Sequence, residues 1–119
     1  MITRALLPSF FGACALVLGT LVPSVSFAAP TSISCVPAGV ASSSSLVHVE
    51  CATPVGGIKY FALPVAAKDE ANRLISLAST ALVAGRTLGI WYDPADTTTG
   101  PTFGCASANC RRVLSIDLR

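Results

Sequence analysis

The chain has 119 residues, with eight Lys and Arg against six Asp and Glu, a net charge of +2 and five cysteines. That length supports one small domain and little more. So even a charge balance leaves no electrostatic footprint for nucleic acid or an anionic membrane surface, and neither is expected as a partner.

The chain opens MITRALLPSFFGACALVLGTLVPSVSFAAPTS. Arg4 precedes an uncharged apolar run from Ala5 to Val22, and Ser26 and Ala28 then flank Phe27 as a small-x-small cleavage signal. This pattern predicts a secretory signal peptide over 1–28 and a single mature domain over 29–119. The competing readings are an uncut membrane anchor, for which Pro8 and Pro23 are poorly suited, and a lipid-modified Cys14, which lacks the usual aliphatic residue three positions earlier. The mean hydropathy of +0.67 is raised by the leader and does not describe a membrane protein. Without Arg4 the net charge falls to about +1, and the expected location is secreted or periplasmic.

Cleavage also removes Cys14 and leaves an even set, Cys35, Cys51, Cys105 and Cys110. In a small exported chain that set reads as two disulfides. A zinc site would prefer ligand pairs two to four residues apart, whereas the spacings here are C-x4-C and C-x15-C. A redox pair would ordinarily be C-x-x-C, which is missing. Three pairings are possible. The local one, Cys35–Cys51 with Cys105–Cys110, closes short loops and needs no special topology. On the loop-entropy model the two closures contribute about 3 and about 2 kcal/mol.

In chain order, a Pro- and Ser-containing start, APTSISCVPAG, is followed by ASSSS, which carries no apolar periodicity and is expected to form a flexible loop. SLVHVEC alternates, with Val47, Val49 and Cys51 on one face and Leu46, His48 and Glu50 on the other, which predicts a half-exposed strand. IKYFALPV resumes after TPVGG, so Gly56–Gly57 is expected to turn a β-hairpin. From Lys68 the period changes to that of a helix. Ala71, Leu74, Ile75, Ala78 and Leu82 form its apolar stripe, broadened by Leu77, Ala81 and Val83. Asp69 and Glu70 suit the positive end of that helix, and Gly85 suits a left-handed cap beside Arg86. TLGIWYD reads as a strand stopped by Asp93-Pro94, PADTTTGPTFG as a polar loop, and RRVLSIDLR as one final strand with Leu114, Ile116 and Leu118 on one face. The order strand, strand, helix, strand, strand predicts an α+β domain with a mostly antiparallel sheet packed on one helix.

Little in the chain suggests chemistry. His48, the only histidine, stands beside Glu50 on an outer strand face with no lone serine or cysteine near it in sequence. Asp93 and Asp96 read as turn formers, since a calcium site needs six or more oxygens. There is no phosphate-cradling glycine loop, G-x-S-x-G or H-E-x-x-H. Arg111 and Arg112 are the only basic pair. No catalytic residue, metal or cofactor is assigned, and the protein is expected not to be an enzyme. Trp91, Tyr92, Tyr60 and Phe61 are the aromatics able to stack on a sugar or fill a core. Phe61 is assigned to the core, and of Trp91 and Tyr92 only one can be buried, because they alternate along a strand.

Three passages resemble one known family. They are the hairpin LVHVECATPVGGIKYFALPV leading into the helix, the helix end and strand STALVAGRTLGIWYDP, and the clamp CASANC after a polar loop. Together Leu46 to Cys110 resemble the B subunits of bacterial AB toxins of the pertussis and subtilase type. The resemblance implies an OB-like small barrel with one helix, able to form a homo-oligomeric ring that binds glycans on host cell surfaces, and it assigns no binding residue. The expected function is therefore an exported, non-enzymatic, glycan-binding domain. The alternative is a monomeric periplasmic structural or inhibitor-like module that binds a protein partner.

Overall fold

A computed structural model describes Gly19 and residues 29–119. The expected signal peptide, Cys14 included, lies outside the described residues apart from Gly19. The elements are β1 (Thr31–Cys35), β2 (Pro37–Ser42), β3 (Leu46–Val55), β4 (Ile58–Pro64), α1 (Lys68–Ala84), β5 (Leu88–Tyr92), a short 3-10 turn (Gly100–Phe103), β6 (Cys110–Arg112) and β7 (Ser115–Leu118). Among the described residues the protein is α+β, with one α-helix on two sheets. One sheet has the order β1-β5-β7 and the other β2-β3-β4-β6. All pairings are antiparallel except β4 with β6.

The alternation read in β3 is the one observed. Val47, Val49 and Cys51 are buried, and Leu46, His48 and Glu50 lie half-exposed on the other side. The hairpin turns at Gly56 and Gly57, with φ of 58° and 81°, values that an L side chain adopts only with strain. In α1, Ala71, Leu74, Ala78 and Ala81 are buried and Gly85 caps the end in the left-handed conformation. Three alanines on that face let the helix sit close to the strands beneath it. It packs on β2, β3 and β4 of one sheet and on β5 and β7 of the other. Phe61, Leu74, Leu88, Ile90 and Val49 form the centre of the core, where truncating a leucine to alanine costs about 2–5 kcal/mol.

Three expectations are corrected. First, the amino-terminal stretch, which the order strand, strand, helix, strand, strand leaves out, supplies β1 and β2. Ile33 and Cys35 point inward from β1, but the serines between them hide the period. Of ASSSS, Ala41 and Ser42 belong to β2, and Ser43 closes the turn by accepting from the Leu46 N–H and donating to the Leu46 carbonyl. Second, Leu82 is exposed and Ala81 takes its place in the core, since one residue along a helix rotates the side chain by about 100°.

Third, RRVLSIDLR is two strands in different sheets. The Val113 N–H donates to the Ala62 carbonyl of β4, and the next one, Leu114 N–H, donates to the Trp91 carbonyl of β5. The chain changes sheets between them, so Val113 is buried and Leu114 exposed, the reverse of a continuous strand. Val36 makes another direct strand-to-strand crossing, from β1 to β2.

Both disulfides take the local pairing, with Cα–Cα distances of 5.3 Å for Cys35–Cys51 and 5.4 Å for Cys105–Cys110. The first joins β1 of one sheet to β3 of the other, beside the Val36 crossing. Two such bonds fit an oxidising compartment. Among the described residues no helix is long and apolar enough to cross a membrane.

Candidate functional site

β5 reads LGIWY, and its pleat turns Leu88, Ile90 and Tyr92 into the core. Tyr92 packs edge-to-face against Phe61, ring centroids 5.0 Å apart. Trp91 must then point outward, and it is 43% exposed. It is the only tryptophan in the chain. The neighbouring strands bring a serine to each side of it, Ser32 from β1 and Ser115 from β7. Neither is long enough to cover an indole.

One step along the same face, Gly89 lies between Ser34 and Asp117. A Cβ at Gly89 would collide with the Asp117 carboxylate and the Arg119 guanidinium, so the bare glycine is what lets Arg119 lie across the sheet. Arg119 pairs with Asp117 at 3.0 Å and donates to Ser32 Oγ at 3.1 Å and Ser34 Oγ at 3.4 Å. The outer face of this sheet therefore sets one uncovered aromatic ring beside hydroxyls, a carboxylate and a guanidinium. Such a set can stack on an apolar ring face and exchange hydrogen bonds with hydroxyl groups around it.

The outer face of the other sheet differs. There Ala62 of β4 packs with Cys105 and Cys110, and Leu46, Tyr60 and Phe103 close around them. The clamp residues lie over the strands, and the Asn109 carbonyl accepts from the Lys59 and Tyr60 N–H groups. Between clamp and sheet runs a groove of about 330 Å³ with Ser43, His48, Tyr60 and Asn109 on its walls. His48 meets the Tyr60 ring edge-on at 5.3 Å. Beyond it Lys59 pairs with Glu50 at 2.7 Å, a hydrogen bond and charge that hold the Lys59 ammonium above its ordinary pKa.

Asp93 and Asp96 act as turn formers. Asp93 accepts from the Ala95 N–H, and Asp96 from the N–H groups of Thr98 and Thr99. The bonds from Thr99, ahead of those from Thr98, hold the Asp96 carboxyl below its usual range. Among the described residues no three His, Cys, Asp or Glu side chains come together as a metal ion would need. Sequence reasoning named Trp91 but not Ser32, Ser34, Ser115, Asp117 or Arg119, which become its neighbours only through strand pairing. No family model, curated protein or solved structure matches the chain.

Proposed function

We propose that this protein is an exported glycan-binding domain that seats a sugar ring on Trp91. The observation that carries the reading is the uncovered indole between two serines, with the Asp117–Arg119 pair and Ser34 beside it. Sugars present a CH face to an aromatic ring and hydroxyls at their rim, and this surface offers a partner for each. No catalytic group is required for such a role.

The resemblance to B subunits of AB toxins leads to the same function from the chain's own residues. We further propose that the two sheets form an OB-like, partly open barrel. Neither sheet closes on itself, but the chain crosses between them at Val36 and at Val113–Leu114, and Cys35–Cys51 fastens the first crossing. The second reading, a monomeric module that binds a protein partner, is favoured by Leu82 and Val83, exposed side by side near the end of α1.

Because Trp91 is the sole tryptophan, its intrinsic fluorescence reads this site alone. Titration with sialylated and neutral oligosaccharides should shift that emission saturably. Trp91→Ala should abolish retention on the same glycans, a loss of about tenfold or more in affinity. Emission that stays constant across a broad glycan panel would remove the reading. Light scattering on the oxidised protein separates the alternatives: a mass near five protomers supports the ring, and a monomer favours the protein-binding module.

A further inference from the structure

Arg111 and Arg112 are neighbours in β6, and their guanidinium groups meet different fates. Arg111 is buried, and its Nε and Nη1 donate to carbonyl oxygens. Its Nε donates to Pro94 at 3.2 Å, and its Nη1 donates to Ser107 and to Cys110, the latter at 2.8 Å. This arginine ties the clamp to the loop after β5. Arg112 Nε is also buried, yet it has no hydrogen-bond partner among the described residues. A buried charged donor without an acceptor is a costly arrangement that calls for an explanation.

Arg112 lines a cleft of about 240 Å³ between α1 and the crossing from β6 to β7. From the helix come Glu70, Arg73 and Leu77, whose spacing of three and four places them on one side of it. Leu63 and Ile116 supply apolar wall. Arg73 donates Nε to its own helix at the Asp69 carbonyl. Among the described residues neither arginine forms an ion pair, and Glu70 pairs with neither. The cleft thus holds the guanidinium groups of half-buried Arg112 and exposed Arg73, with donors to spare, beside an aliphatic wall.

We propose that this cleft binds a small monocarboxylate carrying an apolar chain. The carboxylate accepts from Arg112, assisted by Arg73, in the charge-assisted geometry that guanidinium groups favour. The chain lies against Leu63, Leu77 and Ile116. At ~30 Å³ per water-sized group, the volume suits a ligand of on the order of eight heavy atoms. Glu70 opposes a second negative charge, so the site selects a monoanion over a dianionic phosphate. The proposal does not depend on the glycan reading, since its arginines and apolar wall are not among the residues set around Trp91.

The test is an NMR titration of the oxidised, isotope-labelled protein with hexanoate, and with hexanol and inorganic phosphate as comparisons. Hexanoate should move the Arg112 Nε–H resonance and the amides of Arg73, Leu77 and Ile116 saturably. Hexanol and phosphate should each bind about tenfold more weakly or less. Arg112→Gln should lower hexanoate affinity about tenfold, and Glu70→Gln should raise it a few-fold, with the rest of the amide spectrum unchanged. Should Arg112→Gln fail to fold, Arg73→Gln on the exposed helix surface takes its place, with a smaller loss expected. Equal binding of hexanol and hexanoate would overturn the proposal. So would resonances that stay fixed at Arg112, or a folded Arg112→Gln protein of unchanged affinity.

Discussion

The two sheets share a core but treat their outer faces differently. On the four-stranded sheet, Leu46, Tyr60 and Ala62 point away from the core and are covered by Phe103 and the Cys105–Cys110 clamp. On the three-stranded sheet, Ser32, Ser34, Ser115 and Asp117 point away, and water can solvate them without help. Trp91 is the exception there, a large aromatic on a polar face that stays 43% exposed. Where apolar side chains cluster on an outer face, the chain supplies its own roof. A single aromatic among hydrogen-bonding groups acquires none and stays accessible from outside.

The largest effect is expected where the two sheets are joined. Replacing Cys35 and Cys51 with alanine releases the bond between β1 and β3 and should cost about 3 kcal/mol, read as a lowered midpoint in urea unfolding. A midpoint that does not move would mean that the crossings and the helix alone hold the sheets together. Next comes the roof. Serine at Cys105 and Cys110 should cost about 2 kcal/mol and expose Ala62 and Tyr60, while leaving Trp91 emission and glycan retention as they were. Loss of glycan retention in that variant would shift the site to the roofed groove.

Removing the exposed indole should matter little for folding. Trp91→Ser is expected to change stability by no more than about 0.5 kcal/mol in thermal unfolding, against several for a core aromatic such as Phe61. A cost comparable to that of Phe61→Ala would show that the indole is packing rather than waiting for a ligand. The smallest effect belongs to Asp96, in the exposed loop after β5. Its folded-state pKa is the lower one, so its contribution is complete above the ordinary value near 3.8 and is lost as pH falls through the lowered one. Asp96→Asn should lower stability slightly at neutral pH, leave it unchanged at the acid end and so flatten that limb. An acid limb identical in the two proteins would place the sensitivity elsewhere.

How much of this could be read from the residues depends on range. β5 and the first half of β3 announce themselves because each buries one face, so burial imposes a period of two on neighbouring residues. The helix and its glycine cap are legible for the same reason at a period near four. Local disulfides need only short separations and an oxidising compartment. β1 is obscured because its outward positions are serines, which resemble a loop. The break at Val113–Leu114 is invisible in RRVLSIDLR, since both halves alternate and only the two sheets reveal that they pair with different partners. The surroundings of Trp91 lie further out of reach. Arg119 and Ser32 are 87 positions apart, and nothing local links them.

That break has a further use. Val113 N–H and Leu114 N–H are consecutive amides, yet one is held by the four-stranded sheet and the other by the three-stranded sheet. In deuterium exchange, peptide neighbours ordinarily report on the same opening event. Here they form an adjacent pair of probes, one for each half of the molecule. Equal protection would mean that the halves open as one cooperative unit. A ratio far from one would resolve them as separate foldons, with the faster amide naming the half that yields first.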